Sequence, residues 1–182
     1  MKMFFFDKTL YRYEQSEQWD RCLIYLKDMT LLYPKNKTIF FSLAAYSWYV
    51  LTFWDICMPV NEMKRHDFEL MLSETYMKAQ HLFWEDSNCL WMFGYFMRTN
   101  FLDFAFISAD FRDVIEEGDA LIKKAYLLER SNKLAEMMYY EIENRKSEYN
   151  RVKKEVIERI SDYFPNKSEI DNYFTEVFTS TF

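Results

Sequence analysis

The chain has 182 residues, 20% of them aromatic, with 23 basic and 29 acidic residues and a formal net charge of −6. It contains only two glycines and three prolines, which excludes a β-sandwich or barrel with many tight turns and excludes the glycine-rich loops that bind phosphate. An apolar share of 50% also argues against disorder. The composition predicts a single helical domain over residues 1–182.

Capping residues and apolar periodicity predict four helices in the first hundred residues, each beginning at a Ser, Thr or Asn. The first is predicted from Ser16 and ends before Pro34, and the second from Thr38 and ends before Pro59. The third runs from Asn61 to about Trp84, and the fourth from Ser87 to about Met97. The second of these contains no formal charge over residues 38–54. A membrane span could produce that pattern, but its Ser, Thr, Tyr and Trp side chains favour a helix buried inside the protein.

The second half predicts four more helices by the same criteria. Their predicted bounds are Asp103 to Gly118, Asp119 to Leu128, Ser131 to Phe164, and Ser168 to near the C-terminus. Gly118 suits the left-handed position that ends a helix. Since no segment alternates with a period of two, the fold class is all-α: an irregular stack of antiparallel helical hairpins, with about eight to nine helices.

Asparagines recur at the predicted corners between helices, at positions 36, 88, 132 and 166. Such punctuation is typical of stacked helical hairpins. Residues 13–44 resemble a tetratricopeptide repeat through Tyr13, the turn Gln15-Ser16-Glu17, Trp19, Cys22, Leu26, Met29, Pro34 and Leu43-Ala44. A second, partial match comprises Tyr76, Ala79, the corner Asp86-Ser87-Asn88, and Phe93-Gly94. The resemblance implies a protein-binding scaffold and no particular chemistry.

Residues that usually carry catalysis or bind metals are sparse. The two histidines, His66 and His81, occur in no metal-binding motif, and the three cysteines, Cys22, Cys57 and Cys89, show no short spacing. Surface or packing roles are expected for the histidines, and reduced thiols for the cysteines. We therefore expect a cytoplasmic protein without a secretory signal, catalytic residues, metal or cofactor, although a nucleophile built by tertiary contacts remains an open alternative.

Basic residues cluster between Arg145 and Arg159, but three glutamates are interleaved with them and two more, Glu141 and Glu143, precede them. That pattern is typical of a solvated helix face with ion pairs three or four residues apart. Since the whole chain is also acidic, direct nucleic-acid binding is not expected. No membrane partner is expected either.

The strongest local signal is an acidic window at residues 103–119, where six carboxylates face Arg112 alone. Its members are Asp103, Asp110, Asp113, Glu116, Glu117 and Asp119. On one helix, Asp110, Asp113 and Glu117 would share a face, with the apolar residues Phe104, Ile107, Phe111 and Val114 opposite. The window is either an ordinary solvated face or a binding surface for a basic protein partner.

In general character, an acidic, aromatic-rich chain of this size is similar to bacterial immunity proteins, including those paired with contact-dependent toxins. That similarity implies a non-catalytic protein that binds and neutralises a basic, nuclease-type toxin domain. The alternative is a helical-repeat adaptor that binds a peptide or partner protein in a groove lined by aromatic side chains. Four tryptophans bear on that alternative, although packing explains helically spaced aromatics equally well: Trp48, Trp54, Trp84 and Trp91.

Overall fold

The computed structural model describes residues 2–57 and 63–180 of the chain. Within these ranges it contains eleven α-helices, one 3₁₀ turn and no strand. The all-α prediction is confirmed. The predicted helix boundaries at Pro59 and Asn61 lie outside the described residues, and the tetratricopeptide-like stacking stays a prediction.

The chain divides into two compact units whose boundaries fall inside helices. Unit 1 comprises the described residues up to Lys78 together with 161–176, and unit 2 comprises 79–160 with the described residues from Val177 onward. The helices in chain order are α1 (Lys8–Gln15), α2 (Trp19–Leu32), α3 (Lys37–Thr52), α4 (Trp54–Cys57), α5 (Arg65–Leu82), α6 (Ser87–Thr99), α7 (Phe111–Leu128), α8 (Lys133–Ile142), α9 (Lys146–Glu158), α10 (Ile160–Tyr163) and α11 (Glu169–Thr179). The 3₁₀ turn Phe101–Phe104 precedes α7.

Helix α3 supplies the core of unit 1. The side chain of Asn36 caps it by accepting from the N–H groups of Thr38 and Ile39, at 3.1 and 3.3 Å. Nearly every residue from Ile39 to Leu51 is buried, so the prediction of a buried helix is confirmed. No helix among the described residues is long and apolar enough to cross a membrane.

Within unit 1, aromatic rings join the N-terminal segment to residues 161–176. Phe4 stacks on Phe164 and Phe174, with ring centroids 6.0 and 5.5 Å apart. The backbone N–H of Met3 donates to the carbonyl of Tyr163 at 3.0 Å. Residues distant in sequence therefore close the core of this unit.

Sequence analysis missed α1 and misplaced the start of α2. Asp7 caps α1 through the N–H groups of Thr9 and Leu10, both at 2.9 Å, and Ser16 follows the helix at its C-terminal end. Glu17 then takes a left-handed conformation, with φ of 53°. The prediction that Ser16 caps a longer helix was therefore wrong. Ser16 ends α1, and the left-handed residue Glu17 separates α1 from α2.

In unit 2, Gly118 lies inside α7 and not at a helix end. Residues 111–128 form one continuous helix that Asp110 caps, so the separate helices Asp103 to Gly118 and Asp119 to Leu128 were wrong. Neither glycine of the chain has a positive φ. Gly118 instead packs against Gly94 of α6, the other glycine of the chain. The close approach of two helices, and not a turn, explains this residue.

The long helix predicted from Ser131 to Phe164 is divided into α8, α9 and α10. Asn132, and not Ser131, caps α8, since its Oδ1 accepts from the N–H of Ala135 at 3.2 Å. Asn144 ends α8 with φ of 54°. The predicted start of the last helix is confirmed, because the Oγ of Ser168 accepts from the N–H of Asp171 at 3.1 Å.

Candidate functional site

Two of the six acidic residues from the sequence analysis do not lie on the surface as free carboxylates. Asp103 is only 4% exposed and accepts from the Nδ2 of Asn100 at 2.7 Å. Asp119 forms an ion pair with Arg98 of α6. Asp103 therefore serves the 3₁₀ turn, and Asp119 ties α7 to α6; their role in binding a partner stays a prediction.

Asp110 acts mainly on its own helix. Its Oδ1 accepts from the backbone N–H of Arg112 at 2.9 Å, and its Oδ2 pairs with the guanidinium at 2.8 Å. These bonds to the Arg112 side chain and backbone hold the pKa of Asp110 below its usual value. As the cap of α7, Asp110 stabilises the helix terminus and faces the positive end of the helix dipole.

Three carboxylates remain available on the first turns of α7. Asp113 and Glu116 are exposed, and Glu117 is half-exposed. The Oγ of Ser108 donates to the Oδ2 of Asp113 at 2.8 Å, which joins the preceding loop to the helix. Asp113 and Glu116, three residues apart, lie on the same side of α7.

Large apolar side chains are also exposed around the start of α7 and in the segment that precedes it. Phe111 is 51% exposed, Phe106 42% and Leu102 70%. The ring of Phe111 packs on Phe101 at a centroid distance of 5.4 Å, and Phe106 packs on Phe104 at 5.6 Å. The prediction that Phe111 is buried in the core was wrong. Phe111 shares the helix stripe of the buried residues Val114 and Gly118, but it is the first residue of α7 and lies at the end of that stripe.

We call this region the α7 entry surface, defined by Leu102, Phe106, Phe111, Asp113, Glu116 and Glu117. It combines exposed rings, which supply apolar contact area, with carboxylates that attract cations. Sequence analysis found its charges but missed its apolar half. One signal for the apolar half was present in the sequence. Phe104 and Phe111, seven residues apart, share one face of a helix, but Phe106 falls on the opposite face, so one buried stripe cannot contain all three rings.

A second cluster, which sequence analysis did not single out, is a pair of buried carboxyl groups in unit 1. Glu14 of α1 is 4% exposed and Asp171 of α11 is fully buried. Tyr46 of α3 donates its hydroxyl to the Oε1 of Glu14, and the N–H of Glu169 donates to the same oxygen at 3.2 Å. The N–H of Asn166 donates to the Oδ2 of Asp171 at 2.6 Å.

Burial raises the pKa of Glu14 to about 7 and that of Asp171 to about 6. The Oε2 of Glu14 and the Oδ1 of Asp171 have no hydrogen-bond partner among the described residues. A buried carboxyl with one oxygen unsatisfied favours its protonated form, since the charged form would lose its hydration without compensation. This cluster therefore binds protons in the folded protein and holds α1, α3 and α11 together.

The histidines, cysteines and tryptophans occupy separate environments. His66 is exposed on α5, 3.6 Å from Glu69, and the three cysteines are free and buried, which raises the pKa of each thiol. Over residues 2–57 and 63–180, no three His, Cys, Asp or Glu side chains form a group that could hold a metal ion.

Trp48 and Trp91 are fully buried in the cores of their units, while cations lie over the rings of Trp54 and Trp84.

Arg151 of α9 and Arg145, which precedes this helix, form ion pairs at the spacing that the sequence predicted. Arg151 pairs with Glu155 at 3.3 Å, Arg145 pairs with Glu148, and Lys133 of α8 reaches Glu155 at 3.0 Å. These pairs place carboxylates among the cations along the helix.

Comparison of the chain with protein-family models, with curated proteins and with solved structures finds no match.

Proposed function

We propose that this chain is a non-catalytic binding protein of the immunity type, which covers and neutralises a basic, nuclease-type toxin domain. The observation that supports this most directly is the α7 entry surface, where Phe106 and Phe111 are exposed in the same short stretch of chain as the exposed carboxylates Asp113 and Glu116. An exposed apolar patch rimmed by charge is typical of a protein interface.

The two halves of the surface would contribute differently. Carboxylates raise the association rate by attracting a basic partner over distances of about a Debye length, ~10 Å at moderate salt. Aromatic side chains supply most of the binding energy once they are desolvated, because rings bury large areas at low entropic cost. A nuclease covered in this way loses access to substrate phosphates, since the carboxylates occupy the positions to which the phosphates bind.

The test uses a candidate toxin domain encoded beside the gene for this chain, with association followed by stopped-flow or surface plasmon resonance. Changing Asp113, Glu116 and Glu117 to Lys reverses three charges but leaves Asp110 to cap α7. We expect association to slow about tenfold or more at low salt, with a weaker salt dependence than that of the wild type. Phe106→Ala with Phe111→Ala should mainly accelerate dissociation.

A matched control places the same three charge changes on exposed carboxylates elsewhere: Asp28→Lys, Asp55→Lys and Glu158→Lys. This control should retain nearly the wild-type rate. If both triple variants slow association equally, only net charge matters and the α7 entry surface is not the interface.

The second candidate function is an adaptor that binds a peptide. An open depression on the last turns of α7, lined by Ala120, Lys123, Lys124, Leu127 and Leu128, supports it. Its lining is aliphatic and basic and contains no aromatic residue, unlike the aromatic groove expected from the sequence. Binding that survives the α7 charge reversal but is lost on changing Leu127 and Leu128 to Ser would favour the adaptor.

A further inference from the structure

The corner between α2 and α3 exposes three consecutive apolar side chains. Leu31 and Leu32 are each 69% exposed and Tyr33 is 54% exposed. The earlier turns of α2 bury Cys22, Leu23 and Leu26 against the core. The last turn of this helix therefore extends past the part of α2 that packs in unit 1.

Backbone hydrogen bonds fix the conformation of this corner. The N–H of Tyr33 donates to the carbonyl of Met29 at 2.9 Å, and the N–H of Asn36 donates to the carbonyl of Tyr33 at 2.9 Å. Asn36 then caps α3. The apolar side chains are consequently presented by a fixed turn, and their exposure does not result from an irregular loop.

Charge on the α3 side of the corner is positive. Lys35 and Lys37 are exposed immediately after Tyr33, and no acidic residue occurs between Asp28 and Asp55. On the α2 side the charges balance: Lys27 and Asp28 are both exposed one turn before Leu31 and Leu32, and Lys27 lies 4.0 Å from Glu74 of α5. In an acidic chain, the positive α3 side is a local reversal of sign that selects anionic partners.

We propose that this corner, Leu31, Leu32, Tyr33 and Lys35, is a peripheral docking point for an anionic lipid surface. Two leucines enter the acyl boundary, Tyr33 lies at the headgroup level, and the lysine contacts lipid phosphates. At a lipid surface, acyl chains and phosphates lie at adjacent depths. The leucines of the corner can therefore contact acyl chains while the lysine that follows them contacts phosphates. The contact is peripheral and is independent of the proposed binding function of α7.

The experiment measures co-sedimentation of the full chain with vesicles. One set contains phosphatidylcholine alone, and the other contains equal amounts of phosphatidylcholine and phosphatidylglycerol. We expect several-fold more protein on the anionic vesicles at low salt, and release as salt is raised. Leu31→Ser with Leu32→Ser should lower the bound fraction about tenfold, and Lys35→Glu should remove the preference for anionic vesicles.

The matched control is Leu127→Ser with Leu128→Ser, since these leucines are also adjacent and exposed at a helix end, at 65% and 43%. This variant should bind vesicles like the wild type. Circular dichroism and thermal unfolding should show that both leucine variants keep the native fold, because the side chains changed are exposed.

Three outcomes would overturn the proposal. The wild type sediments with neither vesicle, the Leu31/Leu32 variant binds as well as the wild type, or the Leu127/Leu128 control loses binding equally. The wild type could also bind no vesicles and instead self-associate in sedimentation velocity, while the Leu31/Leu32 variant stays monomeric. That result would show that a second copy of the chain covers the corner.

Discussion

At the residue scale, both glycines of the chain meet at one helix crossing. A Cβ added to Gly94 would lie 2.7 Å from the carbonyl oxygen of Gly118 and 2.7 Å from the side chain of Ile122. A Cβ added to Gly118 would lie 3.0 Å from the carbonyl oxygen of Gly94 and 3.1 Å from the Cβ of Met97. The absence of side chains at these two positions sets how closely α6 and α7 approach.

Replacing Gly94 with Ala should therefore destabilise the protein more than replacing Gly118 with Ala. At Gly94 the obstacle is backbone together with a branched side chain, so the helices must separate, at a cost of about 1–3 kcal/mol. The gain in helix propensity, about 1 kcal/mol, offsets part of this. Urea unfolding of both variants measures the difference.

Ala120→Gly on the exposed face of α7 provides the reference for propensity alone, with an expected loss of about 1 kcal/mol. If Gly94→Ala proves as stable as the wild type, the close crossing of α6 and α7 is wrong.

At the element scale, two helices end in the same left-handed motif without a glycine. The N–H of Gln18 donates to the carbonyl of Tyr13, and the N–H of Arg145 donates to that of Tyr140, each at 2.9 Å. Glu17 and Asn144, with φ of 53° and 54°, occupy the left-handed position between them. This is the Schellman geometry, in which glycine is ordinarily preferred.

Glu17→Gly should raise the free energy of unfolding by about 1 kcal/mol, because glutamate pays a steric cost in the left-handed region that glycine does not. Asn144→Gly should gain less, since asparagine tolerates this conformation, and Asn144→Val should lose about 1–2 kcal/mol. Thermal unfolding of the three variants tests this ranking.

Lys154→Gly, at an exposed position inside α9, serves as the control and should lose about 1 kcal/mol. A Glu17→Gly variant that is destabilised to the same extent would mean that residue 17 has an ordinary helical conformation.

At the scale of the whole molecule, the buried carboxyls of unit 1 link stability to pH. Glu14 has a pKa of about 7 in the folded protein, against 4.5 for an exposed glutamate. Between these values the folded state binds more protons than the unfolded state, so stability falls as pH rises through this range. Asp171, with a pKa of about 6, acts in the same direction from 3.8 upward.

Glu14→Gln should reduce this dependence, because glutamine has no charge to bury and keeps an oxygen that accepts from Tyr46. We expect the wild type to lose on the order of 2 kcal/mol more than the variant between pH 5 and 8. The measurement is urea unfolding at a series of pH values.

Glu17→Gln removes the same charge from an exposed position three residues away and should leave the pH profile nearly unchanged. Equal profiles for the wild type and Glu14→Gln would show that Glu14 is ionised throughout this pH range in the folded protein.

The sequence by itself determined the fold class and the start of one helix. Scarce glycine and proline, together with apolar periodicity, left only helices as a way to bury so many aromatic side chains, and the uncharged stretch 38–54 was correctly assigned to a buried helix. The start of the last helix at Ser168 was also predicted, because a cap acts on backbone groups within three residues of itself.

Only the tertiary structure decided which charges reach the surface and what the glycines do. Asp103, Asp110 and Glu117 are equally acidic in sequence, yet one is buried, one caps a helix and one is half-exposed. The role of Gly118 depends on Gly94, 24 residues earlier, and that of Glu14 depends on Tyr46 and Asp171. Burial and close approach are set by residues far away in the chain, which a local pattern does not contain.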